Sequence, residues 1–315
     1  MLNRFRGCLL GLACGDAVGS AVEFKKPGSF EPLIDMEGGG PFNLRPGDWT
    51  DDTSMALCLA TSLLEKKGFD PLDQMKRYCR WQEEGYLSST GVCFDIGFTT
   101  AAALQHFRET GDPFCGSTDP FTAGNGSLMR LAPVAMFYME NLKLVAHYSA
   151  ESSRTTHASL EAVDACRLFG VMLALALRGA TKDVILFSGH LPIFQRRRLA
   201  DSIAAIASGS YVKKSEKQII AKGYVVNTLE AALWSFWKTN TFRDAILCAA
   251  NLGYDADTTA SVCGQIAGAF YGAEKIPKGW LTRLAMADEI RAIADKLFEE
   301  RWHEEKLAFE QHEIE

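Results

Sequence analysis

Glycine recurs at every fourth position in two segments near opposite ends of the chain. The first series is Gly7, Gly11, Gly15 and Gly19, and the second is Gly264, Gly268 and Gly272. Residues four apart share one face of an α-helix, so each series would form a groove without side chains. Because glycine inside a helix costs up to about 1 kcal/mol relative to alanine, the stripes predict that two backbones approach closely. We therefore expect an N-terminal and a C-terminal helix to pack together at the centre of the protein.

Apolar residues at helical spacing dominate the rest of the 315-residue chain. They predict helices over 54–67, 99–109, 142–152, 160–177, 199–208, 228–238, 242–251 and 281–307. Alternating strand patterns are absent, and breakers such as Pro27-Gly28 fall in the linkers. No low-complexity segment divides the chain. The sequence thus predicts a single all-α domain over residues 1–315, with a C-terminal helical tail from about residue 281.

Two short acidic clusters lie far apart in this helical pattern. They are Thr50-Asp51-Asp52 and Asp255-Ala256-Asp257-Thr258, and each is followed by small and apolar residues. Carboxylates beside apolar segments cost desolvation unless they are neutralised, and grouped carboxylates repel one another. Hard divalent cations such as Mg²⁺ prefer carboxylate and hydroxyl oxygens. We interpret the clusters as two halves of one binuclear metal site.

Helix capping is the alternative explanation of each cluster, since Thr and Asp are favoured at N-caps and in first turns. Three consecutive residues cannot all face one way inside a helix, so a loop or a helix N-terminus must present Thr50, Asp51 and Asp52. Capping and metal ligation are therefore compatible, and the duplication favours ligation.

Composition bounds the partners and the compartment. A net charge of −6 without a basic stripe argues against nucleic acid as the main partner. No uninterrupted apolar run approaches the roughly 20 residues of a membrane span, and Asp16 interrupts the stretch that resembles a signal peptide. The nine cysteines are odd in number and show no CxxC pairing. We expect a cytoplasmic protein with reduced thiols.

Several motifs, taken together and in order, resemble the ADP-ribosylglycohydrolase family, and among its branches the dinitrogenase reductase-activating glycohydrolases. They are the segment Gly7 to Gly19, Glu23, Trp49-Thr50-Asp51-Asp52-Thr53, Gly124-Asn125-Gly126-Ser127-Leu128-Met129-Arg130, Thr156-His157 and Asp255-Ala256-Asp257-Thr258-Thr259-Ala260. The resemblance implies a compact orthogonal multi-helix fold around two divalent cations, Mg²⁺ or Mn²⁺. It also implies hydrolysis of the glycosidic bond between ADP-ribose and a protein side chain. The implied partners are an ADP-ribosylated protein and ADP-ribose. We expect the chain to act as a monomer.

The resemblance also implies a role for individual residues. The metal ligands would be Thr50, Asp51, Asp52, Asp255, Asp257 and Thr258, with the catalytic carboxylates Glu23 and Asp95 nearby. Asp95 matches a carboxylate beside the substrate, which favours arginine-linked ADP-ribose because a carboxylate can accept forked hydrogen bonds from a guanidinium. An ordinary helix N-cap before residue 96 is the alternative role of Asp95. Cleavage at the ribose would then need an activated water and assistance to the leaving guanidine.

The substrate-binding residues implied by the resemblance are Phe98, Gly124, Asn125, Gly126, Ser127, His157 and Tyr254. The two glycines of the turn would let backbone N–H groups approach a diphosphate, and Ser127 would add a hydroxyl donor. Tyr254 and Phe98 would stack on the adenine or a ribose. Without the resemblance, these residues would be read as a simple turn, a structural histidine and core aromatics.

Three other functions are compatible with parts of the pattern. An isoprenoid synthase would also use acidic helix motifs, but Met55 follows Asp51-Asp52-Thr53-Ser54 where the usual Asp-Asp-x-x-Asp spacing needs aspartate. A hydrolase of serine-linked ADP-ribose, or of small ADP-ribose derivatives, would share the metal and phosphate motifs. A catalytically silent ADP-ribose-binding protein would keep the pocket, although every predicted ligand position holds a competent residue.

Overall fold

Fifteen α-helices make up most of residues 1–301, the part of the chain that the computed structural model describes. They are α1 (Leu2–Gly19), α2 (Asp51–Lys66), α3 (Pro71–Glu84), α4 (Phe98–Thr110), α5 (Ala132–Tyr138), α6 (Leu142–Arg154), α7 (Leu160–Leu177), α8 (Lys182–Leu186), α9 (Pro192–Arg196), α10 (Asp201–Ala207), α11 (Val225–Lys238), α12 (Phe242–Ala250), α13 (Ala256–Tyr271), α14 (Lys278–Arg283) and α15 (Ala287–Glu300). Extended segments within these residues form isolated bridges only. The prediction of an all-α domain is confirmed.

The glycine-rich helices α1 and α13 form the central pair. A Cβ atom built on Gly264 would lie 2.0 Å from the carbonyl oxygen of Gly11, and one on Gly15 would lie 2.1 Å from the carbonyl oxygen of Ala260. These separations leave no room for a side chain, so the two backbones are in direct contact. The predicted pairing of an N-terminal with a C-terminal helix is confirmed.

Other helices cover this pair on all sides. Helices α11 and α12 pack against α13, and α15 packs against α1. The rings of Phe5 and Phe298 meet edge to face at 5.3 Å, and the guanidinium of Arg6 donates to the carboxylate of Asp295 at 2.6 Å. Almost every residue of α1 is buried, because neighbouring helices contact each of its faces.

The segment Leu2–Val22 is long and apolar enough to cross a membrane by composition alone, but 94% of its 18-residue window is buried inside the protein. It contacts α13, α12 and α15 rather than a solvent-exposed surface. Its high hydropathy is therefore explained by its position in the core, as expected for a helix that is apolar all round.

The C-terminal helical segment differs from the prediction of one helix over 281–307. Helix α14 ends at Arg283, and α15 begins after Met286, whose φ of 55° lies in the left-handed region. The chain therefore turns between two helices, and the prediction of one continuous helix is wrong. Residues 302–307 of that prediction lie outside the described part of the chain.

Candidate functional site

The two acidic clusters meet beside the C-terminal end of α1. The first begins α2, and the second begins α13. A Cβ atom on Gly19 would lie 2.3 Å from the carbonyl oxygen of Ala256 and 2.5 Å from the Cα atom of Asp257. The glycine stripe thus fixes the start of α13 directly against α1. The close packing predicted from the glycines is what brings the distant clusters together.

Helix capping was the alternative role considered for the clusters, but at α2 this role is filled by Asp16. Thr50 and Asp255 occupy the N-cap positions of α2 and α13, yet neither side chain makes a capping hydrogen bond. Asp16 of α1 accepts hydrogen bonds from the backbone N–H groups of Thr50 and Thr53, at 2.8 and 3.0 Å, and from both hydroxyls. Since Asp16 accepts hydrogen bonds from these donors, the carboxylates of Asp51 and Asp52 are not needed to cap α2 and can bind a ligand.

Hydroxyl groups connect the two clusters in both directions. Thr50 Oγ1, whose proton goes to Asp16, also lies 3.2 Å from Asp257 Oδ2, and Thr258 Oγ1 donates to Asp52 Oδ2 at 3.3 Å. Asp52 Oδ1 and Glu23 Oε2 are buried without a hydrogen-bond donor among residues 1–301. Buried oxygens that lack a proton donor are oxygens a cation can bind.

Glu23, Asp95 and Asp257 form the tightest acidic group. Each offers a carboxylate oxygen, and these oxygens lie within 4.8 Å of one another. Glu23 and Asp257 are buried, and Asp95 is partly exposed at the wall of the cavity. The N-cap of α4 is Gly97 rather than Asp95, so the helix-capping role considered for Asp95 is wrong. The two predicted catalytic carboxylates therefore stand beside one predicted metal ligand.

The electrostatics of the cluster call for a compensating positive charge. Burial, followed by repulsion from Asp95, Asp255 and other carboxylates, raises the pKa of Glu23 to about 10. The pKa of Asp95 is raised to about 7 by burial and by the charges of Asp16 and Asp255. Burial and the neighbouring carboxylates also raise the pKa values of Asp51, Asp52 and Asp257 well above their usual range. The oxygen-only donor set and its unpaired oxygens fit hard divalent cations.

A cavity of about 620 Å³ opens from this cluster. Its wall contains the acidic residues Glu23, Asp51, Asp95, Asp255 and Asp257 with Thr258, and also Gly124, Asn125, Gly126 and His157, with Phe24, Phe98, Lys222 and Tyr254. The acidic residues and the glycine turn therefore line one pocket, and they meet where Asn125 contacts Asp255. Such a pocket suits a ligand that carries both sugar hydroxyls and anionic groups.

The turn after Gly124 serves the site differently from the prediction. The amide of Asn125 donates to Asp255 Oδ2 at 2.6 Å and to Thr228 Oγ1 at 2.9 Å, so it positions a predicted metal ligand. The hydroxyl of Ser127 bonds to Ser153 Oγ at 2.7 Å and is buried in the core. The structure does not bring that hydroxyl to the cavity.

His157 explains why glycine occupies two positions of the turn. A Cβ atom on Gly126 would lie 2.8 Å from His157 Cε1, and one on Gly124 would lie 3.3 Å from Nε2. Neither glycine has a positive φ. The requirement is therefore space for the imidazole ring, in addition to any approach of an anion. Burial and the nearby charge of Arg130 lower the pKa of His157 to about 3, so the ring is neutral at physiological pH.

Aromatic and cationic groups form the mouth of the cavity. The Phe98 side chain is 97% exposed, which excludes the role of a core aromatic. Tyr254 is partly buried, and the ammonium of Lys222 lies 4.9 Å from the centre of its ring. Lys222 and Phe24 belong to the lining but lack a recognisable sequence signal, since both sit in irregular segments.

Strained backbone is concentrated around the cavity. Phe24, Asp95 and Tyr254 have φ values of 62°, 61° and 55°, and all three line the pocket. Two backbone hydrogen bonds connect the loop segments that carry Phe24 and Tyr254. Phe24 N donates to the Tyr254 carbonyl and Tyr254 N donates to the Lys25 carbonyl, both at 2.6 Å. Left-handed non-glycine residues persist where surrounding contacts enforce them, and they cluster at functional sites.

Comparisons with known proteins agree with this geometry. The family model described as ADP-ribosylglycohydrolase matches residues 1–306. The chain is 46% identical over 298 residues to ADP-ribosylarginine hydrolase Tri1 of Pseudomonas putida, which covers 95% of this chain and 78% of that protein. It is 31% identical over 304 residues to ADP-ribosyl-[dinitrogen reductase] glycohydrolase of Rhodospirillum rubrum, covering 94% and 95%.

A solved structure titled ADP-ribosylglycohydrolase-related protein complex superposes with a TM-score of 0.84 at 42% identity, covering 96% of this chain and 99% of that one. Three observations support the same family assignment: the sequence motifs, the α1–α13 core with its acidic cluster, and the match over nearly the whole chain. The chain belongs to the ADP-ribosylglycohydrolase family.

Proposed function

We propose that this glycohydrolase removes ADP-ribose from arginine side chains of modified proteins by hydrolysing the N-glycosidic bond. The name of the Pseudomonas putida relative supports this linkage, since it specifies ADP-ribosylarginine, and the name of the Rhodospirillum rubrum relative supports a modified protein as the substrate. The proposal applies their chemistry to the cavity described above. ADP-ribose then lies with its distal ribose at the acidic end and its diphosphate toward the turn at Gly124–Gly126.

Asp95 is the residue that favours arginine as the modified side chain. Its carboxylate lies at the wall of the cavity, within 4.8 Å of carboxylate oxygens of Glu23 and Asp257. A guanidinium is planar and cationic, and it donates paired hydrogen bonds that a carboxylate can accept. A serine-linked substrate has a neutral ether oxygen at the same place and gains nothing from a second negative charge. The position of Asp95 therefore favours a substrate whose modified side chain is cationic.

We propose that the acidic cluster holds two divalent cations, Mg²⁺ or Mn²⁺. The residues that would hold them are Thr50, Asp51, Asp52, Asp255, Asp257 and Thr258, whose oxygens are hard and lie at or beside the cavity. When bound, such ions orient ribose hydroxyls and lower the pKa of a bound water.

The remaining steps belong to the protein's own carboxylates. Departure of the guanidine builds positive charge on the ribose, which the surrounding carboxylates stabilise. In our proposal Glu23, which lines the cavity and would be ionised when bound cations offset the neighbouring carboxylates, accepts the proton of the attacking water, and Asp95 holds the departing guanidine by hydrogen bonds. Asn125 keeps Asp255 in place through its 2.6 Å hydrogen bond.

The proposal is tested by mass spectrometry of an arginine-ADP-ribosylated peptide incubated with the protein in Mg²⁺, in Mn²⁺ and in EDTA. Asp257→Ala and Asp95→Ala are measured beside the wild type. We expect release of free ADP-ribose that requires a divalent cation and is lost in both variants. Asp288→Ala is the matched control, because this aspartate of α15 is 89% exposed and far from the cavity.

A serine-ADP-ribosylated peptide runs in parallel. Release from serine with none from arginine would replace the proposed linkage while keeping the metal site. Binding of ADP-ribose without release from either peptide would identify a binding protein or a hydrolase of small ADP-ribose derivatives. Full activity in EDTA would remove the divalent cations from the proposal.

A further inference from the structure

Arg130 is a buried cation without an acidic partner. Its side chain is 0% exposed, and it forms no ion pair within residues 1–301. The guanidinium lies over the ring of Tyr78 at 4.6 Å and donates to the Ser152 carbonyl at 3.2 Å. An unpaired buried charge is costly, so its retention calls for a role beyond packing.

One of its hydrogen bonds leads to the cavity. Nη2 of Arg130 donates to Thr156 Oγ1 at 2.8 Å, and Thr156 Oγ1 lies 2.8 Å from His157 Nδ1. Because a guanidinium only donates, the Thr156 oxygen must accept from it. The threonine hydroxyl proton then points to the imidazole, and Nδ1 is the acceptor.

The opposite tautomer fits this arrangement poorly. A proton on Nδ1 would make the Thr156 oxygen accept two hydrogen bonds, and its own proton would find no acceptor among the described residues. Since a buried hydroxyl donor without a partner is unfavourable, the geometry selects the ring with its proton on Nε2.

The other side of the ring faces the glycine turn that lines the cavity. Nε2 stands 3.3 Å from the Cβ position of Gly124 and 3.2 Å from that of Gly126, and His157 is part of the cavity wall. Within residues 1–301, the hydrogen bond of the ring is made at Nδ1 alone. Nε2–H is therefore a donor directed at the space beside the glycine turn.

We propose that Arg130 and Thr156 are positioning residues, which fix His157 as a neutral Nε2–H donor for an anionic group of the ligand. This inference rests on the proposed function, since the anionic group is a phosphate of ADP-ribose. The donor stays neutral and fixed, so it binds the phosphate without requiring a proton transfer. The buried guanidinium adds positive potential on the same side of the cavity.

The tautomer is measured directly by two-bond ¹H–¹⁵N correlation spectra of ¹⁵N-histidine-labelled full-length protein, with His157→Gln to assign one signal among the six histidines. Isothermal titration with ADP-ribose supplies the affinity. We expect the wild type to show Nε2–H. Thr156→Val, which keeps the shape and removes the hydroxyl, should mix the tautomers and raise the Kd about tenfold. Thr156→Ser, which keeps the hydroxyl, should show the wild-type tautomer and the wild-type Kd.

Thr155→Val is the matched control. Thr155 Oγ1 also accepts from Arg130 Nη2, at 3.3 Å, but it makes no hydrogen bond to His157. This variant loses a longer hydrogen bond to the same guanidinium, together with the bonds of the Thr155 hydroxyl to Gln74 and to the Ser152 carbonyl. It leaves the bond between Thr156 and His157 in place, so it should retain the tautomer and the Kd. Thermal melting of both variants separates a structural loss from a loss of orientation.

The inference is overturned if wild-type His157 carries its proton on Nδ1, or if Thr156→Val binds ADP-ribose like the wild type. It is also overturned if Thr155→Val weakens binding as much as Thr156→Val. The protein could instead bind ADP-ribose with the proton of His157 on Nε2 and still release nothing from the arginine peptide. That result would support the roles of Arg130 and Thr156 and refute only the proposed arginine linkage.

Discussion

Replacing Gly264 by alanine should destabilise the protein, although the same change stabilises an ordinary exposed helix. The new Cβ would lie 2.0 Å from the Gly11 carbonyl oxygen and 2.7 Å from its carbonyl carbon. Since such contacts do not occur below 3.0 Å, α1 and α13 must separate by about 1 Å. Both partners are backbone atoms of buried helices, so no side chain can rotate to relieve the contact.

The expected magnitude follows from two opposing effects. Overpacking of a rigid core costs about 3 kcal/mol, at the upper end of the usual range, and alanine returns about 1 kcal/mol of helix propensity. The free energy of unfolding should therefore fall by about 2 kcal/mol, which lowers the melting temperature of a chain of this length by roughly 3 °C. Circular dichroism melts and urea titrations of the same samples measure it.

Gly279→Ala is the control for glycine replacement itself. Gly279 lies within α14, and its added Cβ would meet nothing closer than Arg283 Nη2 at 3.7 Å. This variant should melt at the wild-type temperature or above it. If Gly264→Ala matched or exceeded the stability of the wild type, direct backbone contact between α1 and α13 would be refuted as the reason for the glycine stripe.

Three further predictions concern the site. Millimolar Mg²⁺ or Mn²⁺ should raise the melting temperature and EDTA should lower it, because a cation relieves the repulsion around Asp52 and Asp257; an unchanged melt would contradict this. Asn125→Ala should reduce the rate of ADP-ribose release at least tenfold by freeing Asp255, and a wild-type rate would show that the amide does not position it. The pKa of His157 is lowered in the folded protein, so the ring takes up a proton when the protein unfolds in acid. The free energy of unfolding should therefore be unaffected by His157 above about pH 6.5 and should be about 2 kcal/mol lower at pH 5. His157→Gln should remove that part of the pH dependence in urea titrations, and identical profiles would refute it.

Sequence reasoning succeeded where one backbone rule determined the structure. The spacing of Gly11 and Gly264 permits no side chain between two helices, and the predicted pair is the pair observed. Most predicted helices agree with α2, α4, α6, α7, α11 and α12 to within a few residues, because apolar periodicity records which face is buried.

Failures occurred where tertiary contacts overrode local signals. Nothing in the sequence around Met286 marks a break, since neither glycine nor proline stands there, yet its left-handed φ separates α14 from α15. Helix α3 was missed although Pro71 in the first turn and the capping of Asp73 N by Asp70 are recognisable helix-start signals.

Side-chain direction was the least predictable part of the site. Ser127 and Asn125 are two residues apart, but one hydroxyl bonds to Ser153 in the core and the other side chain bonds to Asp255 at the cavity. Spacing in an irregular turn does not determine these directions. The role of Asp16 in capping α2 was likewise invisible, because its four hydrogen-bond donors lie more than thirty positions further along the chain.

The contact between α1 and α13 also has a consequence for synthesis. The segment that covers the glycine face of α1 is translated some 250 residues after α1 itself. At synthesis rates of about 5–20 residues per second this interval is roughly 10–50 s. For that time a helix that is apolar on every side lacks its principal partner, and it resembles a client that nascent-chain chaperones bind. The core pair therefore cannot form before α13 has been synthesised, and the acidic cluster, which needs Asp255 and Asp257, is assembled at the same late step.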